Sequence, residues 1–165
     1  MKSTRITIKY GILFALLLGA WMVAGGQFTS HLPIVSINTD GQWIPEDDPR
    51  IIAWMGVIDN GAGQENHLSD PFNEYAGQIS IELRGSSSLM FPKNNFSLET
   101  QDSLGENLNV PLLGLPDEND WVLHGPYSDK TLMRNVLTFR LANDLGGYAS
   151  RTRYCELFLN DDYRG

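Results

Sequence analysis

The sequence predicts an α+β fold, a mixed or antiparallel sheet carrying one main helix. Three observations lead there. Ile79, Ile81 and Leu83 alternate with Gln78, Ser80, Glu82 and Arg84, the period of two that buries one face of a strand. The run 94–100, NNFSLET, repeats that alternation with Phe96 and Leu98 inward and Ser97 and Glu99 outward. Finally, Leu132, Val136 and Phe139, together with Met133, Leu137, Leu141 and Leu145, recur at three- and four-residue spacing, the period of a helix.

The elements follow in order. Lys2, Arg5 and Lys9 precede an uncharged apolar run, Gly11 to Gly26, that ends in Ala24, Gly25 and Gly26. A basic start, a short apolar stretch and small residues at its end describe a signal peptide over residues 1–26. The run is shorter than the roughly 20 residues of a spanning helix, and an uncleaved anchor is the alternative. The expected location is therefore outside the cytoplasm: extracellular, periplasmic or at the cell surface. Residues 32–38, LPIVSIN, read as a strand with β-branched Ile34 and Val35, and TDGQ follows as a turn. PEDDP (45–49) is an acidic break, and IIAWMGVID (51–59) is a second strand. Residues 60–71 form a loop rich in Gly, Asn and Asp. The two alternating runs come next and pair as an antiparallel hairpin with a long connection. DWVLHG (120–125) reads as a short strand. The helix spans 129–147, with Ser128 or Asp129 as its cap and Gly146 or Gly147 as its stop. RYCELFLND (153–161) is a last strand. DDYRG then opens a turn whose second arm is missing, so the sequence reads as part of a longer chain.

Composition narrows the function. The 165 residues are 42% hydrophobic and 19% charged, which suits a packed domain. The formal charge is −8, and removal of residues 1–26 takes away three basic side chains and no acidic one, giving −11. Such a chain is repelled by nucleic acid and by anionic lipid, so neither is an expected partner, and a membrane enters only through an uncleaved N-terminal segment. The lone Cys155 forms no internal disulfide, and it reads as a small buried residue rather than a nucleophile. No CxxC or HExxH pattern occurs. Asp117, Glu118 and Asp120, and separately Asp59, Asn60, Glu65, Asn66 and Asp70, are acidic loops that match no EF-hand spacing. They read first as solvated loops, with calcium at the second as the alternative.

The stretch from Leu83 to Leu98, LRGSSSLMFPKNNFSL, carries most of the chemistry. A phosphate needs backbone N–H groups, hydroxyls and a fixed cation. Arg84, Gly85, Ser86, Ser87, Ser88 and Lys93 offer all three within ten positions. The pattern is neither GxxxxGK[ST] nor GxGxxG. On spacing alone it reads first as a polar hairpin loop and second as an anion cradle. Arg134, at the start of the helix, is either solvated or directed at an anion.

Four blocks, LPIVSINTDGQ, YAGQISIELRGSSSLMFPKNNFSLET, LLGLPDENDWVLHGPYSDKTLMRN and YCELFLNDDYRG, in this order and spacing resemble the spore-coat protein H (CotH) kinase family. The resemblance covers residues 32–165. It implies the N-terminal part of a divergent protein-kinase-like fold that uses ATP and Mg²⁺ to phosphorylate a protein substrate. By that match Arg84, Ser86, Ser87 and Lys93 lie on the nucleotide-covering side, with Arg84 and Lys93 on ATP phosphates and Lys93 in the part of the strand lysine of ordinary kinases. Arg134 belongs to the same side. Asn94 stands where the family usually carries a second basic residue. The family's metal-binding and catalytic aspartates come later than Gly165, so no catalytic or metal residue is assigned, and the segment alone is expected to transfer no phosphate. A non-catalytic secreted or cell-surface adhesion module on the same fold is the alternative.

Overall fold

The computed structural model describes residues 28–165. The basic and apolar segment read as a signal peptide lies outside the described residues. Among the described residues there are nine strands: β1 (Thr29–Ser30), β2 (Ile34–Asn38), β3 (Ile51–Ile58), β4 (Asn66–His67), β5 (Tyr75–Arg84), β6 (Asn95–Gln101), β7 (Asp120–Leu123), β8 (Glu156–Leu159) and β9 (Asp162–Tyr163). One α-helix among these residues, α1, spans Arg134–Asp144, and a short 3-10 turn spans Ser87–Met90. Seven strands form one sheet in the order β7-β6-β5-β3-β2-β8-β9, and β1 pairs with β4 separately. Every neighbouring pair in the large sheet is antiparallel except β2 with β8, which run parallel. The fold is thus α+β with a mixed sheet and one helix, as the periodicities predict.

Alternation decides which face is buried. Ile79, Ile81 and Leu83 of β5 join Ala53, Met55 and Val57 of β3, Phe96 and Leu98 of β6 and Val35 and Ile37 of β2 in one cluster on one face. Ile79 and Ile81 are 0% exposed, and burying each stabilises the fold by about 1.5–3 kcal/mol. The opposite face is polar at its centre. There Arg50 bridges Glu82 at 3.1 Å and Glu99 at 2.8 Å. Toward β8 that face turns apolar again, where Ile34, Ile58 and Phe158 pack with Phe28 and Leu68.

Two expectations are corrected. The final hairpin does have its second arm. Asn160 and Asp161 both take positive φ, 51° and 67°, which are the angles of a tight hairpin turn whose twist suits the flanking strands. Phe158 and Leu159 then pair with Tyr163 and Asp162, and Arg164 N–H donates to the Leu157 carbonyl at 2.7 Å. The helix is also shorter than 129–147. Residues 129–133 form a series of turns, with Leu132 at φ 58°, and the helix begins only at Arg134. Its end is as read from the sequence. Gly146 N–H donates to the Asn143 carbonyl and Gly147 N–H to the Ala142 carbonyl, at 3.0 and 2.9 Å, the Schellman arrangement. Of the two apolar stripes in the periodicity, Val136 and Phe139 are half-buried, whereas Met133, Leu137, Leu141 and Leu145 are exposed. No described helix is long and apolar enough to cross a membrane.

Candidate functional site

Between the buried face of the sheet and α1 lies an open cleft of about 1860 Å³. Its floor is apolar, with Met55, Val57 and Leu98 from the sheet, and its far wall includes Val136 and Phe139 of α1. At one end sits Lys93, two residues before β6 rather than within a strand. The Lys93 stem runs between two glycines. A Cβ at Gly125 would come 2.9 Å from Lys93 Cγ and 2.6 Å from the Asn94 carbonyl oxygen, and a Cβ at Gly165 would overlap Lys93 Nζ. At Gly125 only glycine spares the fixed Asn94 carbonyl and the lysine stem, whereas at Gly165 the contact is with the flexible end of the lysine. Among the described residues no carboxylate pairs with Lys93; the seven ion pairs use other side chains.

The other residues singled out from the sequence are not gathered around Lys93. Arg84 borders the same cleft, but strand alternation puts its side chain with Ser80 and Glu82, opposite Leu83. Its Nη1 donates to Ser97 Oγ at 3.1 Å. Ser86 and Ser87 are exposed at the start of the 3-10 turn. The loop bends there because Gly85 takes φ 136°, and a Cβ at Gly85 would overlap Ser88 Oγ. Arg134 is exposed, pairs through Nε with Asp129 Oδ1 at 3.5 Å, and does not line the cleft.

Asp129 organises the approach to α1. Its Oδ1 accepts the Thr131 hydroxyl at 2.7 Å, and its Oδ2 accepts the Arg134 N–H at 3.0 Å. The N-cap position is Met133, which makes no side-chain cap bond, and not Ser128 or Asp129 as read from the sequence; Asp129 instead satisfies the first helical N–H from five positions upstream, across the turn. The Thr131 hydroxyl first, then the Arg134 N–H, hold its carboxyl below the usual carboxylate range. Cys155 lines the cleft too. Burial first, then the neighbouring Glu156 carboxylate, push its thiol up to about 11, while Lys93 acts in the opposite direction.

Sequence reading missed Asn95, His124 and Asn135. Asn95 Oδ1 accepts the Gly125 N–H at 2.8 Å and lies 2.8 Å from His124 Nδ1. His124 Nε2 lies 3.1 Å from Asn135 Nδ2 in the first turn of α1. The one available signal was HGP directly after a strand, a glycine where β7 leaves the sheet.

The acidic loop from Asp59 to Asp70 is occupied by the protein itself. Asp70 Oδ2 accepts from His67 N–H and Asn60 Nδ2, at 2.9 and 2.8 Å. Asp59 Oδ1 accepts the Gly61 N–H at 3.0 Å, and buried Asn66 bridges Asn60 and Leu32. Among the described residues no three His, Cys, Asp or Glu side chains gather as a metal site.

No curated protein and no solved structure matches the chain. The family model described as CotH kinase protein matches residues 81–165. That span starts inside β5 and takes in the serine-rich loop, Lys93, the HGP turn, α1 and the closing hairpin. With just over half of its length matched, and the matched half holding the lysine end of the cleft, the chain belongs to the CotH kinase family.

Proposed function

We propose that this α+β unit is the nucleotide-covering, N-terminal part of a divergent protein-kinase-like fold, and that it binds ATP as its Mg²⁺ complex. The observation that carries the reading is Lys93. Its amine, without a carboxylate partner among the described residues, lies at the end of an apolar-floored cleft, its stem against Gly125 and its end beside Gly165. A cation held without a carboxylate partner suits a phosphate, which brings its own negative charge. The apolar floor suits a flat ring system. In the proposed reaction the γ-phosphoryl group passes to a hydroxyl of a protein substrate as its bond to ADP breaks. Lys93 contributes by binding and orienting the phosphates. Arg84 plays a lesser part from the rim, together with the N–H groups and hydroxyls of Ser86 and Ser87. Arg134, held by Asp129 away from the cleft lining, serves the nucleotide only by moving. The proposed site of action is outside the cytoplasm, on the strength of the basic and apolar N-terminal segment.

The test is transfer from γ-labelled ATP by the full-length protein. Lys93→Ala is expected to lower autophosphorylation at least 100-fold while the circular dichroism spectrum stays that of the native protein. Activity within a few-fold of wild type in a folded Lys93→Ala protein would overturn the reading. Absence of saturable Mg²⁺–ATP binding in calorimetry would instead favour an adhesion module.

A further inference from the structure

We infer that Asn95, His124 and Gly125 are positioning residues, a clamp that fixes Lys93 relative to the cleft. Four contacts make the clamp. The Asn95 carboxamide oxygen accepts the Gly125 N–H, which identifies that atom as oxygen and makes His124 Nδ1 the donor toward it. His124 is thereby set with Nε2 free to accept, and Asn135 of α1 donates to it. On its other side the Asn95 amide donates to Ser88 Oγ at 3.4 Å, within the 3-10 turn. The serine-rich loop, the strand end that follows it, the β7 exit and the first turn of α1 are thus joined through one carboxamide and one imidazole.

Lys93 is where this joining acts. Gly125, held by Asn95, lies against the Asn94 carbonyl and the Lys93 stem. The loop is fastened a second time where Phe91 stacks on Tyr127 with ring centroids 5.3 Å apart, and Lys130 Nζ lies over the Tyr127 ring at 4.4 Å. A lysine has four rotatable bonds, so an unrestrained one spreads its charge over many positions. Trapping its stem between the loop and the HGP turn holds the amine near one place, and preorganisation of that kind strengthens binding of a fixed anion. The segment spanning Gly85 to Lys93 thereby acts as a fastened arm rather than a freely moving flap.

This inference rests on the nucleotide reading for its consequence, but its geometry is testable without nucleotide. The probe is the Lys93 side-chain amine signal in the full-length protein, labelled on lysine and assigned by its loss in Lys93→Arg. Asn95→Ala and Gly125→Ala are expected to shift or broaden that signal. Asn135→Ala, at an exposed helical position and so compatible with folding, is expected to move it less. Asp70→Ala, away from the cleft lining, is the control: it removes the bonds from Asn60 and from the His67 N–H to the carboxylate, lowers the melting temperature and leaves the Lys93 signal in place. In Mg²⁺–ATP titrations Asn95→Ala and Gly125→Ala are expected to weaken binding about 10-fold, with Asp70→Ala unchanged. A Lys93 signal that stays put in both clamp variants, or moves as much in Asp70→Ala, would overturn the inference. If the signal moves but wild type binds no nucleotide, the clamp stands and the nucleotide reading falls.

Discussion

Lys93 and Cys155 line the same cleft. The Cys155 thiol is held neutral there, its acidity suppressed to about 11. The thiolate is the reactive form. At pH 8, Cys155 is therefore expected to alkylate with iodoacetamide about two orders of magnitude more slowly than a free cysteine. Urea should abolish the difference. Because Lys93 favours the thiolate, Lys93→Ala should slow the native reaction further; an acceleration would show that the amine is not beside the sulfur. Cys155 was read as a small buried residue from the apolar run around it and is half-buried; Lys93 was singled out from its place after the serine-rich turn and lines the cleft. Asn95, His124 and Asn135 were not legible. They are distant along the chain, and an asparagine or histidine whose partner is another side chain leaves no periodicity to read.

At the scale of the element, α1 shows what local pattern can and cannot supply. Its end was readable because a Schellman motif needs only the two glycines after the helix. Its start was not, because Asp129 caps a residue five positions on, across a turn in which Leu132 takes a left-handed conformation. The pattern also announced two apolar stripes without saying that one would stay exposed. The cap gives the helix a pH dependence of definite sign. The folded Asp129 carboxyl lies below its unfolded value of about 3.9, so its contribution is present above that pH and is lost as pH falls through the lower, folded value. Asp129→Ala is accordingly expected to lower the melting temperature clearly at pH 7. The gap from wild type should narrow progressively below about pH 4, followed as ellipticity at 222 nm. A gap of constant size from pH 7 to pH 3 would mean that the carboxylate is not what holds the helix start.

At the scale of the whole molecule, stability resides in the sheet. Ile81 lies at its centre, paired with Ile51 on one side and Leu98 on the other. Ile81→Ala is expected to cost about 2–5 kcal/mol, read as a fall in the urea midpoint. Ile52, next to it in the ladder but half-exposed on the opposite face, should cost less than about 1 kcal/mol on the same change. Equal losses would refute the assignment of faces. The strands themselves were legible, since alternation is a local property. Of the strand order only the antiparallel pair of β5 with β6 was legible. The parallel pairing of β2 with β8 joins segments whose mutual fit is written at both ends of the chain and nowhere between, and the closing hairpin shows itself only once its two-residue turn is seen to reverse the chain.

That same parallel pair sets a timetable. β2 comes from the beginning of the described chain and β8 from near its end, about 120 residues later. A ribosome has therefore delivered β3, β5, β6, β7 and the helix before β2 can meet its second neighbour. Throughout that interval one edge of β2 offers unpaired backbone groups, and edges of that kind recruit other strands. Whatever handles this chain as it emerges, carrier or chaperone, has the synthesis of about 120 residues in which to bind that edge, and the arrival of β8 ends the opportunity.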